Sequence, residues 1–323
     1  MASAEASVNI ALVKYWGKRN IELNLPCASS LSMTLQTMSD VDCDLRLTSR
    51  TSVMIADRDT LILNGKETSV NPRISRMLDY VRQKTALGPV KIESKNFFPT
   101  AAGLASSASG CAALAKALSA LISLSESDLQ TIARLGSGSA CRSLEGGFVK
   151  MNIDGSIERL FNHDHWPSLS CSVFVIEEGK KRVPSGLGMQ ATVVSSELFK
   201  KRLDLIDGKI DSLINAIERR DFPAFAEIVM RDSNQFHAVC LDTYPPLLYL
   251  NGSSYKIIDA VHNLNNMGKT IAAYTFDAGP NAFVFYQRED RSLVEEAIRQ
   301  SLDKTPAIVR CQVGPGAQLI DKE

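Results

Sequence analysis

No run of about 18 apolar residues occurs in this chain of 323, so nothing in it reads as a membrane span. Net charge is missing as well. Thirty-six basic residues balance 36 acidic ones, which removes any global field for nucleic acid and makes an anion site a local matter. Paired cysteines are absent: the seven (Cys27, Cys43, Cys111, Cys141, Cys171, Cys240 and Cys311) are odd in number, scattered, and form no CxxC or Cys/His cluster. That argues against a disulfide framework and a structural zinc, and for reduced core thiols in a cytoplasmic protein. The four histidines, His163, His165, His237 and His262, have no metal spacing and are expected as surface or core residues. The opening MASAEASVNIAL carries neither a basic region nor a long apolar core, against a secretory signal. There is no internal repeat and no low-complexity segment.

What is present suits a globular enzyme of about two domains, 45% hydrophobic and 22% charged. The first hundred residues read mainly as strands: Ala6 to Val13, Leu31 to Thr37, and the alternating stretch Val41 to Leu47, with Asn64-Gly65 as a hairpin turn. Ile74, Met77, Leu78 and Val81 recur at helical spacing and predict a helix over Arg73 to Thr85. Val90 to Ser94 returns to strand. An Ala- and Leu-rich helix is expected over Leu104 to Ile122, then one capped by Ser125 and ending near Gly136. The pattern breaks around Asn162 to Ser170. Beyond it, Cys171 to Ile176, Thr270 to Phe276, Ala282 to Tyr286 and Ile308 to Val313 read as strands. Helices interleave them at Leu203 to Ile217, Phe222 to Val239, Ile257 to Leu264 and Leu293 to Leu302, in an α+β manner.

Four polar clusters could carry chemistry. FPTAAGLASSASG (Phe98 to Gly110) places small residues, serines and no Lys or Arg at a helix start, where backbone N–H groups can approach a phosphate. It is neither a Walker A loop nor a GxGxxG fingerprint, and a small-residue helix packed closely on a sheet is the other reading. In NIALVKYWGKRN (Asn9 to Asn20), Lys14, Lys18 and Arg19 flank Tyr15, Trp16 and Gly17. They could grip a multiply charged anion or form a solvated basic loop. LGSGSACRSLEGG (Leu135 to Gly147) surrounds Arg142 with Ser137, Ser139, Ser143 and glycines: a bidentate anion site, or a turn with an exposed Arg. Within it Cys141 is expected to pack rather than react. TFDAGPN (Thr275 to Asn281) ends a strand on Asp277, as a rigid base or a turn cap.

Taken together and in this order, NIALVKYWGKRN, FPTAAGLASSASG, GSGSACRS and FDAGPN resemble the signature stretches of the mevalonate diphosphate decarboxylase family, in the GHMP small-molecule kinase superfamily. The resemblance spans Asn9 to Asn281, most of the chain. It implies an α+β GHMP kinase fold, with a ribosomal S5 domain 2-like N-terminal domain over 1–167. A ferredoxin-like α/β sandwich would follow over 168–323, with the substrate cleft between them. The implied reaction is ATP-dependent decarboxylation of (R)-mevalonate 5-diphosphate to isopentenyl diphosphate in a cytoplasmic homodimer, with no nucleic acid or membrane partner. By the same resemblance Asp277, Lys14 and Arg142 are catalytic. Tyr15, Lys18, Ser137, Ser139, Arg142, Ser185 and Met189 would bind the substrate. Pro99, Ala102, Gly103, Leu104, Ala105, Ser106 and Ser107 would bind ATP, with Mg2+ on its phosphates and Ser106 a possible ligand.

Two positions depart from the family pattern. Gly186, in RVPSGLGM (Arg182 to Met189), stands where some bacterial members carry Arg, in what is expected to be a loop near the diphosphate. Glu145 stands where an aromatic is usual and is expected to face solvent. Still open at this point are a relative acting on mevalonate 5-phosphate or the 3,5-bisphosphate, a mevalonate 3-kinase that does not decarboxylate, and a non-catalytic nucleotide-binding protein.

Overall fold

The structure is a computed structural model that describes residues 1–39, 45–98, 106–177, 179, 182–266 and 268–321. The N-terminal half opens with β1 (Ala2–Ser7) and β2 (Asn9–Val13), then the small pair β3 (Lys18–Asn20) and β4 (Leu25–Pro26). Next come β5 (Ser30–Thr37), β6 (Thr48–Ile55), β7 (Thr60–Leu63), β8 (Lys66–Thr68), α1 (Pro72–Lys84), β9 (Val90–Asn96), α2 (Ser106–Leu121), α3 (Glu126–Gly136) and the single turn α4 (Cys141–Leu144). The remainder runs β10 (Phe148–Met151), β11 (Ile157–Phe161), β12 (Leu169–Val175), α5 (Ser185–Ser195), α6 (Glu197–Arg219), α7 (Phe222–Asp242) and α8 (Gly252–Asn265). It ends β13 (Ala272–Phe276), β14 (Ala282–Gln287), α9 (Arg291–Ser301), β15 (Ala307–Val313) and β16 (Gln318–Ile320).

One sheet has the order β16-β1-β6-β9-β7-β8, and the other runs β11-β10-β5-β15-β12-β14-β13 with β2 also paired to β5. The apolar run predicted as one strand over Ala6 to Val13 is therefore two. β1 pairs with β6 and β16, whereas β2 pairs with β5, so the chain changes sheets at Val8. The alternation expected from Val41 to Leu47 falls partly outside the described residues, and the strand itself begins at Thr48. Asn64 and Gly65 both adopt positive φ between β7 and β8, as a two-residue hairpin requires.

Alternation along β12 explains how the second sheet is sandwiched. Cys171 and Val173 share a core with Ile206, Ile210 and Leu213 of α6 and Phe225 and Val229 of α7. Phe174, one residue out of phase, packs with Ile257 and Val261 of α8 and Val294 and Ile298 of α9. On the first sheet, α2 presents Ala108, Ala112 and Ala115, all buried, so the helix lies close to β1 and β6. Ser109 reaches Ser49 across that contact at 2.7 Å. The two sheets are linked through the chain end, because β15 pairs with β5 and β16 with β1. Among the described residues, no helix is long and apolar enough to cross a membrane.

Candidate active site

β2 delivers its last residues into a cavity of about 380 Å3 lined from both halves of the chain, by Lys14, Tyr15, Ser139 and Arg142 on one side and Ser185, Met189 and Asp277 on the other. Lys14 and Asp277, 263 positions apart, meet there with Nζ donating to Oδ1 at 2.8 Å. The lysine side chain is 3% exposed and the aspartate 27%, so the carboxylate is the member open to a bound molecule. Burial pushes the Lys14 ammonium below its ordinary value, and Asp277 pulls it back. This is a pair poised by opposing effects rather than a surface ion pair.

Arg142 is equally enclosed. Its Nε donates to Asn9 Oδ1 at 3.2 Å, its Nη1 to Ser30 Oγ at 2.7 Å, and the guanidinium lies 5.8 Å from the Tyr15 ring centre. Asn9 is itself anchored, donating to Ser143 Oγ and to the Ser139 carbonyl. Arg142 makes no salt bridge among the described residues, and burial lowers its pKa. A buried cation with neutral partners, lining a cavity, is a receptor for an anion. Gly138 fits the same design: a Cβ there would overlap the Tyr15 hydroxyl, so glycine lets the loop close on the ring that flanks Arg142.

Three further cations, Lys18, Arg73 and Arg76, line the same cavity. Lys18 donates to Asn24 Oδ1 at 2.6 Å, and Asn24 in turn holds the carbonyls of Arg134 and Leu135 at the end of α3. Burial first, then Arg73 and Arg76, bring the Lys18 pKa down to about 8. The two arginines were missed in the sequence because they flank the apolar stripe of α1, where charges read as a solvated face. The signal that could have found them is the cap of α1, with Asn71 accepting from Arg73 and Ile74 N–H groups and Pro72 in the first turn. That cap marks Arg73 as a first-turn residue of α1, and the structure has it lining the cavity.

A second hollow of about 200 Å3 adjoins the first and shares Arg73 and Ser107 with it. Its walls are Leu61, Leu63, Ile92 and Leu114, with Asn71 and Asn96 at its edge. An apolar slot with a few polar groups suits a planar base. Ser107, in the first turn of α2, reaches Ser137 at 3.3 Å and so links the helix start to the serine-rich loop.

The sequence-predicted residues Lys14, Tyr15, Lys18, Ser107, Ser137, Ser139, Arg142, Ser185, Met189 and Asp277 thus all line one cavity. Pro99, Ala102, Gly103, Leu104 and Ala105 lie outside the described residues, as does the side chain of Ser106. Two expectations are corrected. The segment from Ser185 is not a loop but the first turns of α5, with Pro184 as its N-cap; nothing lies near Gly186 to oppose a side chain there. Glu145 does not simply face solvent, because it is half-buried and pairs with Arg159 at 3.4 Å. Cys141 packs as expected: it is buried, with burial raising its pKa to about 11.

Comparison with known proteins agrees with this geometry. Residues 6–159 match the model of the diphosphomevalonate decarboxylase-like N-terminal domain, and residues 171–318 that of the mevalonate 5-diphosphate decarboxylase C-terminal domain. The diphosphomevalonate decarboxylase of Gibberella zeae is 44% identical over 93% of this chain and 85% of its own. Mevalonate diphosphate decarboxylase from Trypanosoma brucei superposes with a TM-score of 0.88 at 34% identity, covering 99% of this chain and 98% of that one. A solved complex of MDDEF with MVAPP, AMPPCP and magnesium gives 0.87 at 35% identity, covering 99% of both chains. With both family models matched, these relatives covered nearly end to end and the α+β GHMP kinase architecture in place, the chain belongs to the diphosphomevalonate decarboxylase family.

Proposed function

We propose that this protein catalyses the ATP-dependent decarboxylation of (R)-mevalonate 5-diphosphate, giving isopentenyl diphosphate, ADP, phosphate and CO2 in the mevalonate route to isoprenoids. The observation that carries the reading is the convergence of Asp277, Lys14 and Arg142 on one cavity, whose lining also includes the group Lys18, Arg73 and Arg76. A small acid with a carboxylate at one end and a diphosphate at the other matches that charge distribution. Arg142 holds the C1 carboxylate. Lys18, Arg73 and Arg76, with Tyr15, Ser137 and Ser139, hold the diphosphate, while Ser185 and Met189 close the wall. Asp277 faces the C3 hydroxyl and takes its proton as the γ-phosphoryl of ATP arrives, and Lys14 neutralises the charge that builds on the transferring group. Departure of phosphate leaves cationic character at C3, which the Asp277 charge favours. The C1–C2 electron pair then becomes the C2=C3 double bond, and C1 leaves as CO2.

The apolar hollow receives the adenine base and the start of α2 the phosphates, with Pro99, Ala102, Gly103, Leu104, Ala105 and Ser106 as further contacts. No group of three or more His, Cys, Asp or Glu able to ligate a metal occurs among the described residues. The oxygen donors at this point are hydroxyls such as Ser107, a set that fits Mg2+ carried on nucleotide phosphates rather than caged by protein. Bound there, the ion would offset phosphate charge. Functional halves divide near 167 and 168, a homodimer is the assembly, and the compartment is the cytoplasm. Exposed Val194, Leu241, Tyr244 and Leu248 support a covered face, and the six cysteines among the described residues, all unpaired, support a reducing compartment.

The test is a coupled assay with ATP and mevalonate, its 5-phosphate or its 5-diphosphate. Only the diphosphate should yield rapid ADP and labelled CO2. ADP without CO2 would make the protein a 3-kinase, and turnover indifferent to all three would defeat the reading. A pH prediction accompanies it. Lys18 titrates near pH 8, so it is charged below that value and neutral above it. The KM for the diphosphate should therefore rise as pH climbs through about 8, and Lys18→Arg should flatten that rise. An equal rise in wild type and K18R would assign it to another group.

A further inference from the structure

α7 carries two adjacent polar residues, Asp232 and Ser233, that are buried in the molecule and are not among the described residues lining either hollow. Asp232 Oδ2 accepts the backbone N–H of Lys14 at 2.8 Å, and Ser233 Oγ accepts the backbone N–H of Phe276, the residue before Asp277, at 3.1 Å. One helical turn thus grips the ends of the two strands whose side chains form the Lys14–Asp277 pair. Arg202 of α6 completes the grip. Its Nη2 donates to Asp232 Oδ2 at 3.1 Å and to the Lys14 carbonyl at 3.4 Å. Lys209 adds a donation to Asp232 Oδ1 at 2.8 Å, and Gln235 Oε1 accepts from both Arg202 and Lys209. We propose that Asp232 and Ser233 are positioning residues for the reaction, fixing Lys14 and Asp277 in register, with the Asp232 carboxylate as a standing negative charge beside Lys14. The proposal rests on the reading of Lys14 and Asp277 as the reacting pair.

A buried carboxylate is a poor way to gain stability, since apolar packing commonly does as well or better. Here burial opposes the Asp232 charge, and Arg202 and Lys209 overcome that opposition, so the carboxyl stays below its ordinary range. The charge also acts on its neighbour. Lys14 is faced by Asp277 from the β13–β14 turn, Asp232 from α7 and Arg142 from α4. His237 of α7 also faces it but is neutral, because burial and Lys14 hold its pKa near 3. Only the two carboxylates in that set favour the ammonium. Asp277 engages the substrate, which leaves Asp232 as the support that persists through the reaction. Peptide geometry then matters as much as charge, because a displacement of about 1 Å at a reacting group can cost roughly a hundredfold in rate.

The experiment compares wild type, the double variant D232N/K209M, S233A and S233T. The double variant removes one negative and one positive charge, so the buried cluster keeps its net charge. Each is followed by thermal unfolding, by kcat and KM for CO2 release across pH, and by 15Nζ-lysine NMR of Lys14 assigned with K14R. The double variant should lose roughly ten- to hundredfold in kcat with the KM for ATP little changed. Its Lys14 resonance and the alkaline limb of kcat should move to lower pH, the direction expected when a supporting negative charge is lost. S233A should fall severalfold in kcat, and S233T, which keeps the hydroxyl, should recover it. Wild-type kcat in both the double variant and S233A, or a Lys14 titration unmoved in the folded double variant, overturns the proposal. Should wild type release no CO2 from the diphosphate, the proposed function falls, and the Lys14 titration alone still decides for or against this one.

Discussion

Asp277→Asn should lower CO2 release by about a thousandfold or more, while nucleotide affinity stays within a few fold. Three losses compound. The amide cannot accept the C3 hydroxyl proton, and it no longer supplies the negative charge that favours cationic character at C3 once phosphate leaves. The third loss is indirect. Burial lowers the Lys14 pKa, and Asp277, at 2.8 Å, is the strongest opposing influence. Without that carboxylate the amine drifts toward its neutral form, and the phosphoryl group loses a cation as well. The base hollow is lined without Asp277, so ATP binding is spared. Some loss of thermal stability should accompany it, since the substitution leaves the buried Lys14 beside a neutral partner. Single-turnover release of ADP and of labelled CO2 from the diphosphate checks the claim. Release within tenfold of wild type would remove Asp277 from the role of base or orienting group.

Why that carboxylate could be singled out from sequence, and the helix behind it could not, is a matter of local signal. TFDAGPN declares itself: an apolar strand, a carboxylate and a Gly-Pro turn in seven letters. Lys14 and Arg142 likewise sit in short runs of unusual composition, where cations stand among glycines, serines or aromatics. Asp232 has no such surroundings. In FPAFAEIVMRDSNQFHAVC it looks like a polar residue of an amphipathic helix, and only the packing of α7 against β2 and β13 turns it inward. Arg73 and Arg76 illustrate the same limit from the opposite side. They read as solvated helix charges and become cavity walls because α1 docks with its first turn toward Lys18.

Strand identity was legible where a short apolar-rich run is buried throughout, as in β12, and less so where the chain changes sheets. Nothing in Ala6 to Val13 marks Val8 as the crossing point, since both pieces are small and apolar and both are buried. The strands β10 and β11 went unseen for a related reason. Phe148 to Met151 is too short to establish a period, and its partner Ile157 to Phe161 is half exposed and charged. The helix α5 was hidden by two glycines and a proline in RVPSGLGM, residues that punctuate chains more often than they begin helices. Pro184 acts there as the N-cap instead, and Trp16, hydrogen bonded to Thr192 at 3.0 Å, fixes the helix against the cavity wall.

Arg142→Lys should cost roughly a hundredfold in kcat/KM for the diphosphate substrate, although charge is conserved. The guanidinium is not free to be replaced by a point charge, because two of its nitrogens are engaged by Asn9 and Ser30 and its plane is set beside Tyr15. Those contacts leave a fork in fixed orientation for a planar carboxylate. A lysine ammonium would satisfy at best one of the two acceptors and present a single donor direction to the substrate. Burial then works against it further, since an ammonium gives up its proton more readily than a guanidinium in an enclosed site. The loss should appear in kcat as well as KM, because a substrate whose C1 group rotates also misplaces its C3 hydroxyl relative to Asp277. ATP binding, governed by the adjoining hollow, should hold. Steady-state kinetics with the diphosphate varied at saturating ATP gives the answer. Equal kcat and KM in R142K and wild type would mean that the carboxylate is bound elsewhere.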